Sequence, residues 1–239
     1  LHGFTGDAGT MEPITSRLSG PVDAPDLPGH GPGPHPADET AYSIDAMADG
    51  VLARHAAPFH MVGYSMGGRV ALTAACRHPE RVLSLSLIGA SAGLLDPEAR
   101  AARAASDDAL AAQIEGDFEG FVDRWMANPL FATQARLGRD VLAAARVQRL
   151  GNDPAALARS LRANSTGRMR PLHHDLAACT MPVALIAGAD DEKFVAVARD
   201  LADAIPTATV HVIDGAGHAA HLEQPDAVIA AILATQSRA

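Results

Sequence analysis

The sequence predicts an α/β fold: a mostly parallel sheet flanked by helices, with a helical cap inserted between strands. Three observations lead there. Short β-branched or apolar runs alternate with helix-period segments in residues 1–93 and again in 177–239. From about Leu94 to Leu176 the chain turns to Ala, Arg, Leu and Asp and loses any strand pattern. A Gly-x-Ser-x-Gly turn, Gly63-Tyr64-Ser65-Met66-Gly67, joins a strand pattern to a helix pattern.

Taken in order, the chain opens on a glycine-rich turn, Leu1-His2-Gly3, with no residues for a strand ahead of it, so we expect the N-terminus to be incomplete. Pro21–Ala24 is a first candidate strand, and Asp26–Pro36, rich in Gly, Pro and His, is a constrained loop. Ser43 caps a helix running to about His55. Phe59–Tyr64, Val82–Ile88, Val183–Ala187 and Thr209–Ile213 read as buried strands, and Met66–Cys76 carries apolar residues at helical spacing. A last helix, roughly Pro225–Thr235, puts Val228, Ile229, Ile232 and Leu233 on one stripe for packing against the sheet. The expected organisation is a core of residues 1–93 and 177–239 and a helical cap of 94–176, set above the carboxyl ends of the strands, where open α/β sheets bind ligands.

Composition narrows the partners. A chain of 239 residues fits one domain, and 48% hydrophobic with 20% charged residues is ordinary for a globular core. A net charge of −9 argues against nucleic acid and anionic lipid, which need a basic face, although a local arginine cluster still suits a small anion. No run of about 18 apolar residues and no secretory pattern appear, so membrane insertion is not expected. Cys76 and Cys179 lie far apart without Cys-x-x-Cys spacing, which fits unpaired thiols in a reducing compartment, the cytoplasm. Arginine supplies almost all the positive charge, with Lys193 the one lysine, and this reads as compositional bias. No metal-ligand spacing is found. Gly215-x-Gly217-x-x-Ala220 imitates a dinucleotide fingerprint but precedes no βαβ unit, so no cofactor is expected. Oligomeric state has no signal in the sequence.

The chemistry centres on Ser65. Small residues around it permit a sharp, strained turn that presents the hydroxyl above the sheet, and the strand-to-helix context makes the segment resemble the nucleophile elbow of α/β-hydrolases. A serine hydroxyl needs a histidine to take its proton and a carboxylate to fix that histidine. His218, in the loop after the last strand, fits the first role. Asp190 and Asp191, after Val183–Ala187, can each supply the second; we choose Asp191 and leave Asp190 as a solvated loop acid or helix cap. His30, His173, His174 and His221 are expected at the surface or in hydrogen bonds. Leu1-His2-Gly3-Phe4-Thr5-Gly6 resembles the oxyanion loop of the same fold, whose backbone amide, here that of Phe4, would join that of Met66.

Several stretches extend the likeness: LHGFTGD at 1–7, DLPGHG at 26–31, VGYSMGGRVAL at 62–72, DEKF at 191–194 and GAGHAAHLEQP at 215–225. Arg69 directly after the elbow, RAARAASD at 100–107, and Trp125 followed by Asn128-Pro129-Leu130-Phe131 are more discriminating. With these, nearly the whole chain resembles the 2-succinyl-6-hydroxy-2,4-cyclohexadiene-1-carboxylate synthases, menaquinone-pathway lyases of the α/β-hydrolase superfamily. The resemblance implies elimination of pyruvate from a small polycarboxylate by Ser65, His218 and Asp191, without an acyl-enzyme. It also implies carboxylate binding by Arg69, Arg103 and Arg149, and a pocket including Tyr64, Trp125 and Phe131. Bidentate guanidinium contacts explain how an acidic protein recruits a polyanion. Two rivals share the scaffold: a carboxylesterase or C–C hydrolase with Ser65 as nucleophile, and a non-catalytic binding protein for a small ligand. Failure of the three arginines to converge near Ser65 would favour the esterase.

Overall fold

The computed structural model describes residues 1–239. Four strands, β1 (Phe59–Tyr64), β2 (Val82–Ile88), β3 (Val183–Gly188) and β4 (Ala208–Ile213), form one sheet in the order β1-β2-β3-β4. Every pairing is parallel, with Tyr64 beside Ile88 and Gly188 beside Ile213 at the carboxyl ends.

The inner strands β2 and β3 are covered on both faces, whereas the edge strands β1 and β4 are only partly buried, β4 at Ile213 alone, so the expected burial of Thr209–Ile213 is corrected. In β3, Val183, Leu185 and Ala187 join a cluster with Val70, Leu72, Val195 and Leu201, while Ala184 and Ile186 join another with Ile14, Val228 and Ile232. The period of two thus sends alternate residues to opposite layers. One layer holds α2 (Ile44–Ala53), α3 (Met66–Arg77) and α8 (Glu192–Ala204). The other holds the short α1 (Glu12–Thr15) and α10 (Pro225–Gln236).

Between β2 and β3 lie α4 (Pro97–Gly116), α5 (Phe118–Met126), α6 (Arg139–Leu150) and α7 (Pro154–Ala163). These have a small core of their own around Ile114, Phe121, Leu157 and Leu161. Asp96, Asp117 and Asp153 accept from backbone N–H groups at the starts of α4, α5 and α7, which explains where those helices begin. A one-turn helix, α9 (Ala220–Glu223), precedes α10.

Pro21–Ala24 and Leu233 depart from expectation. Pro21–Ala24 forms no strand: Pro21 and Pro25 lack N–H donors, and the Tyr64 N–H at the outer edge of β1 is already taken by the Leu1 carbonyl at 2.9 Å. Leu233 leaves the packing stripe of α10 and is 43% exposed, because the stripe on that helix runs through Val228, Ile229, Ala231 and Ile232. The distant cysteines meet, with Cys76 Sγ 3.6 Å from Cys179 Sγ, both as free thiols. Strand and helix limits otherwise shift by a residue or two, the usual fraying of element ends.

Candidate active site

Ser65 sits between β1 and α3 at φ 50° and ψ −107°. Only Ser65 and Thr5 combine a side chain with positive φ, a conformation that stores about 1–3 kcal/mol. Glycine is required around it: a methyl on Gly63 would strike the Gly67 carbonyl, and one on Gly67 would lie 2.5 Å from the His2 carbonyl oxygen. Close packing of strand, helix and N-terminal loop therefore fixes the bend.

The two partners arrive from neighbouring strand ends. His218 follows β4, and Asp191 follows β3 as the N-cap of α8. Ser65 Oγ is 3.2 Å from His218 Nε2, and His218 Nδ1 is 2.8 Å from Asp191 Oδ2. A carboxylate only accepts, so Nδ1 donates to it and Nε2 is left to accept the serine hydroxyl. The other Asp191 oxygen accepts the Phe194 N–H at 3.2 Å, so the helix start orients the acid. Both His218 and Asp191 are buried, where the contact is weakly screened. Of the two candidate acids only Asp191 reaches the imidazole; Asp190 is partly exposed and bonds Arg136 at 2.6 Å. Glu223 holds the histidine loop by accepting from Gly217 N–H and the Thr133 hydroxyl, each at 3.0 Å.

The amides of Phe4 and Met66 donate to no protein acceptor, and both residues line the same cavity as Ser65. The loop carrying Phe4 is pinned through the Thr5 carbonyl, which accepts from Gln148 Nε2 and Asn152 Nδ2, each at 3.2 Å. His2 braces it from behind, with its ring between the Gly3 carbonyl and the Leu27 N–H, both at 2.9 Å. Burial lowers the His2 pKa to about 4, so this brace is a neutral imidazole at pH 7.

The cavity measures about 360 Å³ and is walled by Tyr64, Trp125, Phe131, Arg69 and Arg103 together with Ser65 and His218. Trp125 Nε1 is buried without an acceptor. Burial raises the Tyr64 phenol well above its usual pKa, which keeps it protonated. Arg69 is 8% exposed, donates to the Asn164 carbonyl at 2.6 Å and forms no ion pair; burial lowers its pKa to about 10, so it stays charged at neutral pH. Arg103 is held by Asp107 at 2.9 Å, and Asp107 in turn accepts from Ser165 Oγ at 2.6 Å.

Arg149 departs from expectation. It does not line the cavity but folds back onto the Ala145 carbonyl of its own helix at 2.9 Å, half-buried, and partial desolvation lowers its pKa. The arginine convergence is thus of two residues, not three. His30 and His221 are both buried; His30 is hydrogen-bonded to the Pro28 carbonyl at 3.3 Å, one of the two states expected, whereas His221 is in neither. His221 is fully buried against the Tyr64 ring, centroids 4.3 Å apart, with neither nitrogen bonded, and burial lowers its pKa to about 3. Their pattern in the sequence, a histidine amid small residues, is shared by exposed loops, so only packing separates the two cases.

Sequence reasoning missed Phe194, whose ring lies 4.5 Å from that of His218, and the Asp107–Ser165 support of Arg103. Phe194 had a signal, its position three residues after an N-capping aspartate. The Asp107–Ser165 contact spans 58 residues and had none. No cluster of three or more His, Cys, Asp or Glu side chains is placed to hold a metal ion.

Residues 1–225 match the model of the α/β hydrolase fold family. A 2-succinyl-6-hydroxy-2,4-cyclohexadiene-1-carboxylate synthase from Enterobacter sp. (strain 638) is 37% identical over 97% of this chain and 88% of its own length. The chain belongs to this synthase family of the α/β hydrolases. The synthase of Salmonella typhimurium is 36% identical over 96% of the chain and 89% of its own. Among solved structures, MenH from S. aureus superposes with a TM-score of 0.91 at 32% identity, covering 99% of this chain and 91% of that one. A malate-bound thermophilic esterase from Thermogutta terrifontis follows at 0.85 and 26%, covering 98% and 86%.

Proposed function

We propose that the protein eliminates pyruvate from 2-succinyl-5-enolpyruvyl-6-hydroxy-3-cyclohexene-1-carboxylate to give 2-succinyl-6-hydroxy-2,4-cyclohexadiene-1-carboxylate, a step of menaquinone biosynthesis. The observation that carries this reading is the relay of Ser65, His218 and Asp191, at 3.2 and 2.8 Å, opening into a cavity shared with two arginines in a chain of the synthase family.

The substrate and product names define the chemistry. The ring double bond at C3 becomes a diene at C2 and C4, so a proton leaves C2 and the enolpyruvyl oxygen leaves C5. Ser65 Oγ takes the C2 proton as its own passes to His218 Nε2, and Asp191 stabilises the imidazolium formed. Charge then develops on the succinyl ketone oxygen, where the Phe4 and Met66 amides are free to donate. The electron pair moves through the ring and expels enolpyruvate, which gains a proton to become pyruvate. Atoms balance without water or cofactor, and no bond to Ser65 forms.

Arg69 and Arg103 supply the anion recognition, which makes the substrate a polycarboxylate, and residues 94–176 act as the cap that closes over it. Two free thiols at 3.6 Å fit a reducing compartment such as the cytoplasm. The test is to supply the enolpyruvyl substrate and follow pyruvate, with an aryl ester alongside. Pyruvate release that vanishes in Ser65→Ala and His218→Ala supports the assignment. Fast ester cleavage without pyruvate overturns it and leaves a hydrolase that uses Ser65 as nucleophile.

A further inference from the structure

Lys193 is the one lysine of the chain, and no carboxylate lies within 4.0 Å of its ammonium. It belongs to a row on α8, Lys193, Phe194, Val197, Asp200 and Leu201, that walls the same cavity as Ser65. Nζ stands 5.7 Å from the centroid of the Phe194 ring, and that ring packs at 4.5 Å against the ring of His218. An unpaired cation is therefore held one aromatic ring away from the imidazole that moves the proton.

The other cavity cations are differently occupied. Arg69 rises from α3 and is tied to the Asn164 carbonyl, and Arg103 stands on α4 against Asp107. Two anchored guanidinium groups suit the carboxylates of the ring and the succinyl arm, which stay with the product. The third carboxylate leaves. It begins as a monoanion on the enolpyruvyl group and departs as part of an enolate, so its charge grows as the C5–O bond breaks. A compact charge on a flexible four-carbon stem can follow such a group, and interaction with growing charge favours the transition state over the ground state. Asp200, on the same wall, disfavours a carboxylate farther along α8.

Resting on the elimination proposed above, we propose that Lys193 binds the carboxylate of the departing three-carbon unit and sets specificity for it. Lys193 is then a recognition residue of the leaving group rather than a surface charge of α8.

The test compares Lys193→Gln and Lys193→Arg with the unaltered protein in pyruvate release, using pyruvate and succinate as inhibitors. For Lys193→Gln the expected result is a KM raised about tenfold, a kcat lowered about tenfold, and an inhibition constant for pyruvate raised about tenfold. Succinate inhibition, which reports Arg69 and Arg103, is expected to stay within about twofold. Lys193→Arg keeps the charge and is expected to recover most of both parameters. A fold defect alone would move both inhibitors together, and Lys193→Arg would then not separate from Lys193→Gln; that pattern overturns the proposal. So does a Lys193→Gln enzyme with unaltered kcat, KM and pyruvate inhibition. Absence of pyruvate release from the unaltered protein would instead overturn the elimination itself.

Discussion

Replacing Asp191 by asparagine separates the two tasks of this residue. As the N-cap of α8 it accepts the Phe194 N–H at 3.2 Å, and asparagine caps about as well, so stability is expected to change by less than about 1 kcal/mol. As partner of His218 at 2.8 Å it supplies a negative charge and fixes the tautomer, and asparagine does neither. Charge loss alone, for groups about 4 Å apart at an effective dielectric of 20, is worth about 4 kcal/mol. The tautomer adds to it, because an amide that donates to Nδ1 drives the proton to Nε2, which then cannot accept from Ser65. Together these match the loss of about 10⁴-fold in turnover, or about 5.4 kcal/mol, that this change causes in a Ser-His-Asp relay. The assay is pyruvate release coupled to lactate dehydrogenase, with thermal melting as the check on the fold. Asp190→Asn is the control: it removes an exposed ion pair with Arg136, worth less than about 1 kcal/mol, and turnover is expected to stay within about twofold. Asp191→Asn turnover within tenfold of the unaltered protein, or a greater loss in Asp190→Asn, would refute the reasoning.

Other perturbations probe different links. Ser65→Gly is expected to abolish turnover yet stabilise the fold by about 1 kcal/mol, seen as a Tm rise of about 2–4 °C, because relief of the positive φ exceeds the entropy cost of glycine. Arg69→Met removes a buried charge that has no ion-pair partner; the melting temperature is expected to hold or rise while KM for the polycarboxylate increases at least about tenfold in the pyruvate-release assay. Acid sensitivity follows from His2, His30 and His221, all with pKa values lowered by burial. The unfolded chain protonates them near pH 6.5 and the folded chain only near about 4 for His2 and about 3 for His221. Stability is therefore full above about pH 6.5 and falls below it by about 1.4 kcal/mol per pH unit for each histidine. In urea titrations His221→Leu is expected to reduce that slope by one proton, and an unchanged slope would exclude His221 from the effect.

Much of the fold was legible because its signals are local. Parallel strands read as short apolar or β-branched runs, a helix announces itself by its period, and a strained elbow requires glycines at fixed places around Ser65. Those rules act over a few residues and need no partner, so β1 to β4, α3 and α10 were found nearly at their limits. Resemblance to a family then supplied the arginines and the chemistry. What only the tertiary structure decided involves residues brought together from afar. Asp191 rather than Asp190 meets His218 because α8 begins where it does, Arg69 and Arg103 share the cavity of Ser65 while Arg149 turns back on its own helix, and His221 is buried rather than exposed. Pro21–Ala24 carried a strand pattern but pairs with no strand, since a strand is completed by a neighbour's hydrogen bonds and not by its own residues. Propensity is a property of a segment, whereas pairing, burial and convergence belong to the packed chain, and the direction of each cavity side chain is set there.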